Sequence, residues 1–110
     1  MIDGDEIRNS ICSDLGFSDE DRKENIRRAA LLAKSINSNG EHAICCFVSP
    51  TNEIRDIARN IIGSDNFVEV FIDSSVNVCE QRDLKGLYKK AREGIINDLT
   101  GIGAPYEPPL

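Results

Sequence analysis

The sequence predicts an α/β fold, a parallel sheet covered by helices, on three observations. Two runs of strand length are apolar almost throughout, Ala43-Ile44-Cys45-Cys46-Phe47-Val48 and Phe67-Val68-Glu69-Val70-Phe71-Ile72, as strands buried on both faces require. Helix-period segments precede, separate and follow them, and that alternation is how βαβ units with right-handed crossovers are built. The 110 residues, 40% hydrophobic, suffice for one compact core, so residues 1–110 read as a single domain.

Taken in order, Ile7, Ile11 and Leu15 recur at i, i+4 and predict a short helix over residues 6–15, stopped at Gly16. Ser18-Asp19-Glu20-Asp21 resembles a capping box: the serine can accept a backbone N–H, and acids sit at the positive end of the helix dipole. A longer helix follows, with Ile26, Ala29, Ala30, Ala33 and Ile36 as its apolar stripe and Asn37-Ser38-Asn39-Gly40 as its end. The 43–48 strand ends at Ser49-Pro50, a third helix fits residues 52–62 before Gly63, and 67–72 is the second strand. A short helix carries Val76 and Cys79, and 85–94 is a basic, partly amphipathic stretch. Gly101, Gly103, Pro105, Pro108 and Pro109 make the tail a loop.

A formal charge of -6 argues against a general nucleic-acid binder, because a sequence-independent grip on phosphates needs a net basic surface. Any anionic ligand must then be held by a local cluster. Cys12, Cys45, Cys46 and Cys79 show no Cys-x-x-Cys spacing, and His42 is not placed to complete a zinc set, so a reduced, cytoplasmic protein fits. The N-terminus has no basic, apolar leader pattern, and no window of about 18 apolar residues could cross a bilayer.

Ligands of open parallel sheets gather at the C-terminal ends of strands, where Asp3-Gly4-Asp5 and Ser49-Pro50 fall. Each candidate here has two readings. Arg22 and Asn25, three apart on one helix face, belong either to a solvated surface or to a fork-and-amide grip on a phosphate or sulfate. Phe17 either staples onto the following helix or stacks on an adenine. Asp3 and Asp5 are turn and cap residues or site carboxylates, and Ser49 a strand terminator or a site hydroxyl. Lys85, Lys89, Lys90 and Arg92 form a solvated face or a phosphate-facing lid of the kind phosphoryl transfer needs.

The spelling of these segments resembles the adenylylsulfate (APS) kinase family. Asp3-Gly4-Asp5-Glu6-Ile7-Arg8 is similar to its DGDN-x-R segment, and Asp14-Leu15-Gly16-Phe17-Ser18 with Asp21-Arg22-Lys23-Glu24-Asn25-Ile26-Arg27-Arg28 to its DLGFS-x-x-DR-x-EN-[IV]-RR signature. Phe47-Val48-Ser49-Pro50 is similar to its F-I-S-P, and the likeness continues through Val70-Phe71-Ile72-Asp73, Cys79-Glu80-Gln81-Arg82-Asp83, Lys85-Gly86-Leu87-Tyr88-Lys89-Lys90-Ala91-Arg92 and Thr100-Gly101-Ile102.

The resemblance implies a P-loop NTPase-like three-layer α/β/α fold and transfer of the ATP γ-phosphoryl group to the 3'-hydroxyl of adenylylsulfate. The products would be PAPS and ADP, with Mg2+ assisting and a homodimer as the full-length form. By the same likeness Asp5, Arg8, Phe17, Arg22, Asn25, Val48, Ser49, Lys85 and Leu99 line the adenylylsulfate pocket, and Arg82 with Lys85 faces ATP. Phe17 would stack on adenine, Arg8 and Arg22 would hold the phosphosulfate, and Asp5 would position the attacking hydroxyl or a magnesium-bound water. Ser49 matches a serine described in the family as a phosphoserine intermediate, although in-line transfer needs none and a hydrogen-bonding role serves equally.

The sequence departs from the family pattern in carrying no Gly-x-x-x-x-Gly-Lys-Ser/Thr loop, the nest of N–H groups, lysine and hydroxyl that seats ATP and magnesium. The expectation is an N-terminally truncated fold, a fragment of a longer kinase, inactive alone and exposing strand edges and apolar faces. A non-catalytic remnant that binds adenylylsulfate or a partner chain is the alternative. Smaller departures are Glu6 for asparagine, Leu99 for a second stacking phenylalanine, and Gly103 for aspartate.

Overall fold

The computed structural model describes residues 1–83, 85–94, 100 and 106–109. They fall into two compact units, Met1–Val68 and Glu69–Leu110.

The first unit is built on a parallel pair, β1 (Ile2–Asp3) beside β2 (Cys45–Cys46), in the register Ile2↔Cys45 and Asp3↔Cys46. The chain leaves β1 directly into α1 (Gly4–Arg8), because the Asp3 carboxylate accepts the Asp5 N–H at 2.8 Å and caps it. Gly4 makes this a close corner: a Cβ there would meet the Phe47 ring at 3.3 Å and the Cys46 carbonyl at 3.4 Å, so a larger residue would have to push the ring aside. The expected helix over 6–15 is cut short at Arg8. The Ser10 hydroxyl donates back to the Glu6 and Ile7 carbonyls, and the Cys12 N–H reaches the Ile7 carbonyl at 2.8 Å. Those bonds turn the chain, so Cys12 is buried and Ile11 is half exposed.

Helix α2 (Asp19–Ser38) starts where expected, with the Ser18 hydroxyl accepting the Asp21 N–H at 3.1 Å. Its stripe of Ile26, Ala29, Ala30 and Ala33 is buried. Ala29 and Ala33 join Ile2, Ile7 and Cys12 in a small core, with Leu15, Ile36, Ala43, Phe47 and Ile62 packed around it. Small side chains on α2 let its backbone lie close to the neighbours. Helix α3 (Asn52–Ile62) packs on α2, anchored by the fully buried Ile54, and the Lys23 ammonium joins the two helices by reaching Asp19 at 3.0 Å and Glu53 at 3.1 Å. Gly63 ends α3 at φ +96°, a left-handed backbone that glycine adopts at little cost.

Two strand expectations are corrected. The 43–48 run forms only the two residues of β2, and it is not covered on both faces: Ile44 is 67% and Val48 64% exposed. Among the described residues β2 has one ladder neighbour, β1, so its second edge and outer face remain open. The 67–72 run forms no ladder at all among the described residues, and Val68, Val70 and Ile72 are each at least 75% exposed. A strand is defined by pairing, and an apolar run without a paired edge stays irregular however strong its β-propensity.

The second unit contains α4 (Val76–Arg82) and α5 (Leu87–Arg92). Ser75 caps α4 through the Val78 N–H, and Asp83 accepts the N–H groups of Tyr88 and Lys89 at 3.0 and 3.1 Å, fixing the start of α5. Phe71 and Tyr106 stack with ring centroids 6.3 Å apart. No described helix is long and apolar enough to cross a membrane.

Candidate adenylylsulfate-binding site

The loop between α1 and α2 brings three expected residues into direct contact. The Arg8 guanidinium lies 4.2 Å from the Phe17 ring centroid and donates to the Gly16 carbonyl at 2.7 Å. Arg22, on the first turn of α2, donates its Nε–H to the Phe17 carbonyl at 2.9 Å. Phe17 itself is 54% exposed, so it does not staple onto α2, and a flat apolar face stands in solvent beside two cations.

The loop is held from both sides. Asp21 completes no reciprocal capping box; its carboxylate reaches past Ser18 and accepts the Gly16 N–H at 2.9 Å. Arg28, near the middle of α2, forks onto Asp14 at 2.7 and 3.2 Å and onto the Ile11 carbonyl at 2.9 Å. The Arg28 guanidinium beside Asp14 holds that carboxyl below its usual range. Glu24, paired first with Arg27 and then with Arg28, is held down to about 2.

One turn beyond Arg22 lies Asn25, 5% exposed, and its side-chain carbonyl Oδ1 has no hydrogen-bond partner among the described residues. A buried amide oxygen left unpaired is costly, and such groups are rare enough in folded chains that each needs a reason.

Asp5, Val48 and Ser49 lie two or three residues beyond the paired positions Asp3 and Cys46, at the same end of the parallel pair. Asp5 and Val48 are exposed, and Ser49 has φ +42°, in the left-handed region that a residue with a Cβ seldom adopts. Arg82 and Lys85 belong to the second unit, at the end of α4 and on the turn before Gly86, both exposed. Leu99 and Gly103 lie outside the described residues.

Arg55 was not singled out by the sequence reading. It is 8% exposed on the first turn of α3, donating to the Ser49 carbonyl and to Asn52 Oδ1, each at 2.6 Å. The signal was present: a cation at the positive end of a helix is disfavoured by the dipole, so it calls for a specific acceptor.

The sequence model of the adenylylsulphate kinase family matches residues 1–110. The chain belongs to the adenylylsulphate kinase family. It is 52% identical to the adenylyl-sulfate kinase of Bacteroides thetaiotaomicron over 109 residues, 99% of this chain and 54% of that protein. It is 50% identical to the adenylyl-sulfate kinase of Acaryochloris marina, over 99% of this chain and 53% of that one. The chain thus spans about half the length of the curated kinases it matches. Among solved structures it superposes on the Mycobacterium tuberculosis APS kinase CysC in complex with AMPPNP and APS, with a TM-score of 0.95 at 43% identity, over 98% of this chain and 64% of that one. The α/β fold of the P-loop NTPase kind, expected from the sequence, is therefore the fold of this adenylylsulphate kinase family member.

Proposed function

We propose that this chain supplies the adenylylsulfate-binding portion of an ATP-dependent adenylylsulfate kinase, which phosphorylates the 3'-hydroxyl of adenylylsulfate to give PAPS and ADP for sulfate assimilation. The observation that carries this reading is the buried Asn25 Oδ1, unpartnered among the described residues, on the helix whose Arg22 also holds the Phe17 carbonyl. Adenylylsulfate has what that acceptor lacks, an amino group on adenine and hydroxyls on ribose. Phe17 offers its exposed ring to the base, a contact of π-face on π-face. Arg8 and Arg22 give the phosphosulfate two guanidinium groups, whose planar fork can hold a pair of phosphate or sulfate oxygens as lysine cannot. Asp5, Val48 and Ser49 border the acceptor hydroxyl from the strand ends, with Asp5 orienting it and Ser49 donating a hydrogen bond. The family likeness also assigns Lys85, and Leu99 in place of an aromatic ring, to adenylylsulfate binding.

ATP is the co-substrate, with Arg82 and Lys85 facing its phosphates. Among the described residues no three carboxylate, histidine or cysteine side chains gather into a metal cage. Magnesium keeps its waters and takes one or two carboxylates together with substrate phosphates, a role that the exposed Asp5 carboxylate would suit. Magnesium would supply charge neutralisation on the transferring phosphoryl group. The 110 residues contain no Gly-x-x-x-x-Gly-Lys-Ser/Thr loop, the element that seats the ATP phosphates in P-loop enzymes.

The test is a coupled assay for ADP formation from ATP and adenylylsulfate with magnesium. It is run on this chain and on a form extended by the sequence encoded upstream, beside a calorimetric titration of this chain with adenylylsulfate. Binding by the chain and turnover only by the extended form is the expected result. No binding by the one and no turnover by the other overturns the proposal, and binding with no turnover in either favours the non-catalytic remnant.

A further inference from the structure

Ser49 holds a backbone conformation that its sequence resists twice. Its φ of +42° crowds a Cβ against the backbone, and the following Pro50 restricts Ser49 toward extended conformations. Such a residue persists only where its surroundings over-determine it.

The surroundings are the first turn of α3. Arg55 donates Nη1–H to the Ser49 carbonyl at 2.6 Å and Nη2–H to Asn52 Oδ1 at 2.6 Å. The guanidinium is nearly buried, where each of its bonds counts for more than in water. The turn that carries it is itself fixed, by Thr51 accepting the Ile54 N–H at 3.2 Å and by the complete burial of Ile54. Pro50 is buried between the two.

We infer that Arg55 is a positioning residue: by gripping the Ser49 carbonyl it keeps Ser49 left-handed, and so sets how Val48 and Ser49 meet adenylylsulfate. This rests on the acceptor-site role proposed above for Ser49. A lysine could keep the charge but not the fork that spans Ser49 and Asn52.

The experiment compares the full chain with Arg55→Lys, Ser49→Gly and the double variant, reading the backbone φ at position 49 by NMR couplings and the adenylylsulfate Kd by calorimetry. Arg55→Lys should relax Ser49 to a negative φ and raise Kd about tenfold, the loss of one charge-assisted bond's worth of order. In the Ser49→Gly background the same change should raise Kd less than about threefold, because glycine holds the left-handed conformation unaided. An unchanged φ in Arg55→Lys, or an equal loss in both backgrounds, overturns the inference. If the wild-type chain binds no adenylylsulfate, the functional assignment fails, while φ at position 49 still decides what Arg55 does. Should Arg55→Lys not fold, Ser49→Gly decides alone: relief of the conformation should raise Tm by roughly 2–5 °C, and no rise refutes it.

Discussion

Replacing Asn25 by leucine should make the chain more stable and worse at binding adenylylsulfate, two changes of opposite sign from one substitution. Asn25 is 5% exposed and its Oδ1 has no partner among the described residues, so the folded state carries the desolvation cost of an unpaired amide oxygen, about 1–3 kcal/mol. Leucine shares the branching at Cγ and removes that cost, while its bulkier methyl groups return part of it as crowding at a buried position of α2. A net gain of about 1 kcal/mol corresponds to a rise in Tm of about 4–8 °C for a unit of this size. With ligand present the sign reverses: a donor on adenylylsulfate would face a methyl group, a loss of about 1–3 kcal/mol or roughly 5- to 150-fold in Kd. Thermal melts followed by circular dichroism, with and without adenylylsulfate, read both effects in one instrument. Asn25→Asp is the control, since a charge at that buried position should lower Tm. A leucine variant that melts lower and binds as tightly as the parent would show Asn25 to be an ordinary structural amide, and the site assignment would lose its main support.

Phe17→Ala should weaken adenylylsulfate binding by the worth of one stacked base, about 1–3 kcal/mol, yet change stability by at most about 1 kcal/mol, because the ring is half exposed and its chief protein contact is the Arg8 stack; equal losses in both measurements would contradict this. Ile54→Ala empties a fully buried position where α3 begins and should cost about 2–5 kcal/mol in urea unfolding with little change in m. Gly63→Ala should cost roughly 1 kcal/mol or more although nothing lies within 4 Å of the new Cβ, since the cost is that of φ +96° alone. The Glu24 carboxyl, held down to about 2 chiefly by Arg27, should contribute fully above its ordinary value of 4.5 and lose that contribution as pH falls toward 2. A carbon-13 titration of Glu24 with its midpoint near 4.5 would show that the Arg27 and Arg28 pairs do not persist in solution.

The helices were legible in the sequence because their signals are local. Ser18, Thr51 and Ser75 each cap a helix through a neighbour three residues on, and Gly63 and Asn39 end two of them where turn residues were read. The shortening of the first helix was not legible, since it depends on Ser10 turning its hydroxyl back onto the carbonyls of Glu6 and Ile7. The strands were overestimated for a different reason. Runs such as 43–48 and 67–72 state that a segment is apolar enough to be buried, but a ladder needs a second edge, and the described residues give β2 one neighbour and 67–72 none.

The same division runs through the site. Arg8, Phe17 and Arg22 were named from the spelling of their segments, and their contacts turn on a loop of a few residues, so sequence neighbours became spatial neighbours. Arg55 was passed over because its target, the Ser49 carbonyl, is a backbone atom that no motif records. Reading side chains alone therefore finds candidate ligand groups sooner than the groups that hold the backbone beneath them. In this chain the latter are marked by burial of charge: Arg55 is a cation whose burial only a specific acceptor explains, as Asn25 is a buried acceptor that only a donor explains. Arg55 has its acceptors within the chain, and Asn25 Oδ1 has no donor among the described residues.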